Sequence, residues 1–160
     1  MLYYLGGYLF TTIAAFAVIV LVMRQLDSED IGGLAGLSQR SPLLALTLTL
    51  AMVSLAGIPP LAGFFGKFLL LKAVIEQGPA NHGYYWLAFI ALAGVVISLY
   101  YYFGVIRAVY FSKEGAAAGP LEVSRPAQFV LGACILGMFW LGLFPGAVLD
   151  FANEAAQVLR

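Results

Sequence analysis

Charge is what this sequence has least of. Only 10% of its 160 residues are charged, eight basic against eight acidic. A soluble domain typically carries about a quarter charged residues, so there is too little polar surface here to face water around a globule. The zero net charge removes any strong basic or acidic field, and with it a nucleic-acid surface or a funnel for acidic substrates. A single cysteine, Cys134, has no partner for a disulfide and lies in an apolar run, where it reads as a small packing residue. The one histidine, His82, has no companion ligands, so no metal site is expected. Absent too are a phosphate-binding glycine loop, a catalytic triad, a paired-cysteine motif and a haem-ligand pair. The chain is therefore expected to bind no cofactor and to hold no redox or hydrolytic site of its own.

What is abundant is apolar length. Hydrophobic residues make up 62% of the chain, and mean hydropathy is +0.95. About 20 apolar residues suffice to cross a bilayer core. The first run, 2–23, lacks the basic flank and small-residue cleavage site of a signal peptide and reads as a span. A polar stretch, 24–41, follows, and Ser41-Pro42 reads as a helix start, Ser41 at the N-cap and Pro42 at N1. Further apolar stretches run over 42–77, 84–107 and 126–149, with a second polar loop at 108–125 and a polar tail from 150. The expected fold is all-α: one integral membrane helical domain over residues 1–160 with four transmembrane spans.

The stretch 42–77 would be about 54 Å long as one straight helix, against a core of about 30 Å. Gly57-Ile58-Pro59-Pro60 interrupts it, and two prolines in succession remove two amide donors and clash with the preceding turn. Its halves are either two short crossings or one discontinuous helix. With one crossing, Arg24, Arg40, Arg107, Lys113 and Arg125 all fall on one side; with two they are split. The bias of Lys and Arg toward the cytoplasmic side favours one broken crossing, both polar loops cytoplasmic and both termini outside. Tyr84-Tyr85-Trp86 at one end of the third span, and Tyr100-Tyr101-Tyr102 with Tyr110 toward the other, read as interfacial anchors and packing groups.

Lys67 is the informative residue. It follows the break by about two turns, amid Phe64, Phe65, Phe68, Leu69 and Leu70. A lysine near a span centre costs roughly 2.5–3.5 kcal/mol to insert and so faces a bundle interior or a wet cavity. Pro60, Gly63 and Lys67 share a helix face, on the side where the break frees backbone carbonyls. Desolvation disfavours an ammonium, so a modest change in a neighbouring charge can load or unload the proton. The bland alternative is a lysine snorkelling to the interface. Lys72 and Glu76, spaced i, i+4, read as an outer-interface ion pair before a relay. Thr47, Thr49 and Ser54 read as hydroxyls bonding back to their own helix, with Ser54 nearest the break. Gly142-Leu-Phe-Pro-Gly146 is a weak small-xxx-small match.

Two segments, Ser54–Phe68 (SLAGIPPLAGFFGKF) and Ile97–Phe111 (ISLYYYFGVIRAVYF), resemble the antiporter-like membrane subunits of respiratory complex I. The first motif is common to the superfamily; the tyrosine-rich second one favours the subunit N family of NADH:quinone oxidoreductase. The resemblance covers the chain in order and spacing, and matches the C-terminal third of the family subunit. It implies that the broken segment is a discontinuous helix of the family and that Lys67 is its membrane-embedded proton-carrying lysine. It further implies a non-redox subunit in the proton-translocating membrane arm, in a bacterial plasma (inner) membrane. Quinone and NADH are used elsewhere in the complex, and the partners are the other membrane subunits, the lipid bilayer and the missing N-terminal helices, with no nucleic acid. The abrupt start within a span reads as truncation or a split product. A subunit of a multisubunit cation/proton antiporter or a membrane-bound hydrogenase, and an inert truncated fragment, are the alternatives.

Overall fold

A computed structural model describes residues 2–26, 31–112 and 119–146, and every described element is helical. The helices are α1 (Leu2–Leu26), α2 (Leu37–Arg40), α3 (Pro42–Ala56), α4 (Ala62–Glu76), α5 (Gly83–Phe111) and α6 (Arg125–Leu143). Three of them, over Tyr3–Leu26, Gly83–Phe111 and Arg125–Leu143, are long and apolar enough to cross a membrane, and Pro42–Ala56 is a shorter apolar helix. The molecule is an integral membrane helical bundle. The polar tail from 150, together with Asp27, Glu29, Asp30, Lys113 and Glu114, lies outside the described residues.

The core forms where small residues let helices approach closely. Ala14, Ala15 and Val18 of α1 pack with Leu44, Leu48 and Ala51 of α3, all buried, and Leu131, Cys134 and Met138 of α6 close the same cluster. Dense contact of this kind holds bundles together in lipid, where burial from water contributes nothing. By contrast, α5 turns Trp86, Phe89, Ile90, Ile97 and Tyr100 outward, each more than half exposed.

Cross-helix neighbours give the directions. Thr11 meets Ser54, Gly7 meets Ala62, and Tyr4 lies over Gly66. As numbering falls along α1 it rises from α3 into α4, so both halves lie antiparallel to α1 in one continuous sense. Gly137 faces Phe10, and the Tyr3 hydroxyl donates to the Leu141 carbonyl at 2.6 Å, so α6 also runs against α1. On α5, Tyr85 lies beside Gly78 while Tyr110 comes within 3.5 Å of Thr49.

The two polar stretches meet at one end of the bundle. The Gln25 side chain donates to the Glu122 carbonyl at 2.9 Å and accepts the Glu122 amide at 3.2 Å. Arg40, only 6% exposed, donates to the carbonyls of Gly33 and Gly119, both at 3.3 Å, and its own carbonyl accepts the Leu121 amide at 3.2 Å. The Gly36 amide reaches the Ala108 carbonyl at 3.2 Å.

Several helix limits differ from the sequence expectation. The first helix runs on through Arg24 to Leu26, where polar side chains at a helix end cost little and Gln25 finds partners. Residues 37–40 of the first polar stretch are helical, since Leu37 and Arg40 are buried beneath it. The third long helix extends to Phe111, its last turn anchored by the fully buried Val109. The helix α6 ends at Leu143, because Phe144 precedes Pro145, which disfavours helical backbone there; the expected limit at 149 lies outside the described residues. Ser41 holds the N-cap position with Pro42 inside the helix start, but its side chain makes no capping bond.

Candidate functional site

The site is the gap between α3 and α4. Gly57 ends α3 with φ of 80°, a left-handed conformation that glycine adopts without a Cβ penalty. That turn folds two amides back: Gly57 donates to the Ser54 carbonyl at 2.9 Å and Ile58 to the Val53 carbonyl at 3.2 Å. The carbonyls of Leu55 and Ala56 are left over. Their in-helix donors would be the amides of residues 59 and 60, and prolines stand at both.

Lys67 takes up one of these vacant carbonyls. Its Nζ donates to the Leu55 carbonyl at 2.6 Å, a short contact of the kind that charge-assisted bonds make. An ammonium at the C-terminal end of α3 also meets the negative pole of that helix. The side chain is half-buried and reaches back across Gly57, where an added Cβ would stand 3.0 Å from the lysine Cδ. Its direction is set by Gly63: any Cβ there would run into the Ser54 carbonyl, so only glycine lets the first turn of α4 lie against the last turn of α3. That overlap brings residue 67 level with residue 55.

A cavity of about 260 Å³ opens beside the amine. Tyr4, Tyr8 and Thr11 of α1 line one wall, Ser54 and Leu55 of α3 another, and Tyr102 of α5 a third. At about 30 Å³ each, several waters fit. Thr11 and Ser54, both essentially buried, hold their hydroxyl oxygens 3.0 Å apart, and the Gly63 amide donates to Ser54 Oγ at 3.3 Å. A second space, about 170 Å³ and lined by Leu70, Val74, Leu87 and Ala91, lies between α4 and α5 and shares Tyr4 and Lys67 with the first. The amine thus stands where a space of mixed lining, with the Thr11 and Ser54 hydroxyls in its wall, meets an almost wholly apolar one.

Of the residues singled out in the sequence, Lys67, Gly57, Gly63 and Ser54 come together here, with Pro59 and Pro60 forming the turn that joins them. The Pro60 carbonyl packs against Gly142 of α6. Lys72 and Glu76 do not join the site: they pair at 3.7 Å with side chains 58% and 62% exposed. Thr47 and Thr49 bond back to the carbonyls of Leu43 and Ala45. Ser54 departs from that pattern, because its hydroxyl faces α1 and α4 and not its own helix.

Sequence reasoning missed Thr11, Tyr4, Tyr8 and Tyr102. Thr11 looks like any hydroxyl in an apolar span, and only the register of α1 against α3 brings it to Ser54. Tyr102 belongs to a run read as interfacial anchors, yet it turns inward while Tyr100 and Tyr101 stay exposed.

Comparison with known proteins places the chain in a family. The family described as NADH:quinone oxidoreductase/Mrp antiporter, TM matches residues 1–98. NADH-quinone oxidoreductase subunit N of Brevibacillus brevis is 43% identical over 94% of this chain, and that of Desulforamulus reducens 40% identical over 98%. The chain spans only 28% and 31% of those relatives' lengths. Among solved structures, a chain of respiratory complex I from Thermus thermophilus with bound Aureothin matches with a TM-score of 0.71 and 34% identity, over 92% of this chain and 34% of its own. The residues around the helix break thus sit within a sequence that belongs to the NADH:quinone oxidoreductase/Mrp antiporter membrane family, on its subunit N branch.

Proposed function

We propose that the chain forms part of the proton-translocating membrane arm of NADH:quinone oxidoreductase, and that Lys67 takes up and releases a proton at the helix break. The observation that carries this is the Lys67 amine on the vacant Leu55 carbonyl, 2.6 Å away, at the edge of a cavity that admits water. An amine so placed has one fixed acceptor and two further positions for exchange partners. A half-buried lysine changes protonation more readily than a fully hydrated one. The break supplies polar backbone at membrane depth, where such groups persist only if they line a cavity or are buried in protein.

In this reading α3 and α4 make one discontinuous crossing, giving four crossings in all. The continuous antiparallel register of both halves against α1 supports it, as does the meeting of the two polar stretches at one end. Arg24, Arg40, Arg107 and Arg125 lie in or beside those stretches, so that end is cytoplasmic by the positive-inside bias, in the plasma (inner) membrane of a bacterium. Quinone and NADH react elsewhere in the complex, and the partners are its other membrane subunits, including helices corresponding to the rest of the relatives' length.

The test is proton translocation per electron in membranes carrying the assembled complex. Lys67→Met removes the exchanging group and Lys67→Arg keeps the charge but does not release its proton. Both are expected to lower protons per electron while the chain remains assembled. Full stoichiometry in both variants contradicts the role. The family description also names Mrp antiporters; that second reading predicts instead a translocation that tracks a cation gradient and is indifferent to quinone reduction.

A further inference from the structure

The break is closed from both sides. The last turn of α3 has a vacant carbonyl, on Leu55, and a side chain of α4, Lys67, fills it. The first turn of α4 has vacant amides, as every helix start does, and a side chain of α3, Ser54, takes one of them, the Gly63 amide. Each half of the broken helix caps the other.

The hydroxyls fix the direction of the second arm. Thr11 gives its one hydroxyl hydrogen to the Gly7 carbonyl at 2.8 Å, a bond within its own helix. The 3.0 Å contact to Ser54 then requires Ser54 to donate and Thr11 to accept. Ser54 Oγ is left as acceptor for the Gly63 amide. The order is Gly63 N–H to Ser54, Ser54 O–H to Thr11, and Thr11 O–H to a backbone carbonyl. Such a chain ends on a group that cannot pass a proton on. It is a latch and not a wire.

We infer that the Thr11–Ser54 hydroxyl pair is a positioning device for Lys67: it ties the break to α1 and fixes the overlap that lays the amine on the Leu55 carbonyl. With the latch closed, the ammonium keeps a backbone acceptor. With it open, the first turn of α4 is free to slide and Lys67 exchanges that acceptor for water or apolar wall, so its hold on the proton changes. The groups facing the amine from the packed elements are Tyr4 and Tyr8 of α1 and Tyr102 of α5, and no carboxylate lines the cavity among the described residues. On its own helix, Lys72 and Glu76 pair with each other in an exposed position. The inference rests on Lys67 being a proton carrier for its meaning, but the test reads the amine itself, so the two fail separately.

The test is reductive methylation of Lys67 in native membranes with the full chain in place, followed by peptide mass spectrometry across a pH series. Thr11→Val keeps the shape and removes the hydroxyl; Ser54→Ala removes both arms of the latch; Thr11→Ser keeps the hydroxyl that accepts from Ser54. Thr11→Val and Ser54→Ala are expected to move the pH midpoint of Lys67 labelling by roughly half a unit, and Thr11→Ser to leave it at the wild-type value. Midpoints that match the wild-type chain in Thr11→Val overturn the inference, even where Ser54→Ala fails to accumulate. A shifted midpoint in Thr11→Ser overturns it as well, since a packing defect and not a hydroxyl would then be the cause. Unchanged proton stoichiometry in Lys67→Met, beside a shifted midpoint, sinks the transport reading and leaves the latch standing.

Discussion

At the scale of single residues, the site depends on glycine as much as on lysine. Lys67 carries the charge, but it reaches Leu55 only because Gly63 admits the Ser54 backbone where a Cβ would otherwise be. Overpacking a well-filled interior typically costs about 1–3 kcal/mol, and here the obstacle is backbone, which cannot swing aside. Gly63→Ala is expected to lower the thermal unfolding midpoint of the detergent-solubilised chain. Gly66→Ala, which meets chiefly the ring of Tyr4, should lower it less. An equal effect at both positions would show that the close contact at residue 63 is not special. Lys67 and Gly63 could both be picked out from sequence, since a cation after a double proline is rare in an apolar run. Thr11 could not: its chemistry matches that of Thr47 and Thr49, which bond back to their own helix, and its role comes from a neighbour 43 positions away.

At the scale of the element, the break is written into the chain by Gly57, Pro59 and Pro60 together. Glycine ends α3 by turning left-handed; the prolines make sure that the Leu55 and Ala56 carbonyls find no amide. Pro59→Ala restores the missing donor. The variant is expected to slow amide hydrogen exchange at residues 57 and 58 and to lower proton translocation, because the Leu55 carbonyl then has a backbone partner competing with Lys67. Exchange as fast as in the wild-type chain would show that Gly57 alone ends the helix. The presence of the break was legible from composition. The overlap of its two halves was not, because two helices joined by a proline turn can run on in line or fold alongside, and only packing against α1 decides. Helix ends were blurred for a related reason: Val109 and Gln25 extend α5 and α1 through contacts with distant residues that hydropathy does not register.

At the scale of the whole molecule, α1 is the spine. Its N-terminal half meets α4 and α6 and its C-terminal half meets α3, so it spans the break that divides its neighbours. The outward aromatic face of α5 shows that this bundle presents an extensive apolar surface to its surroundings, and the chain covers about 30% of the length of its subunit N relatives. All-helical membrane character followed directly from hydropathy, whereas the inward turn of Tyr102 depended on helix rotation, which an almost uniformly apolar sequence leaves undefined. The proposed function rests on whether one amine, that of Lys67, changes its protonation state. Solid-state nitrogen NMR of the full chain, labelled at lysine and assigned by Lys67→Arg, reads that state directly in membranes carrying the complex. Both ammonium and neutral-amine signals from Lys67 are expected across the pH range in which the complex turns over; a single ammonium signal throughout would contradict proton exchange at this site.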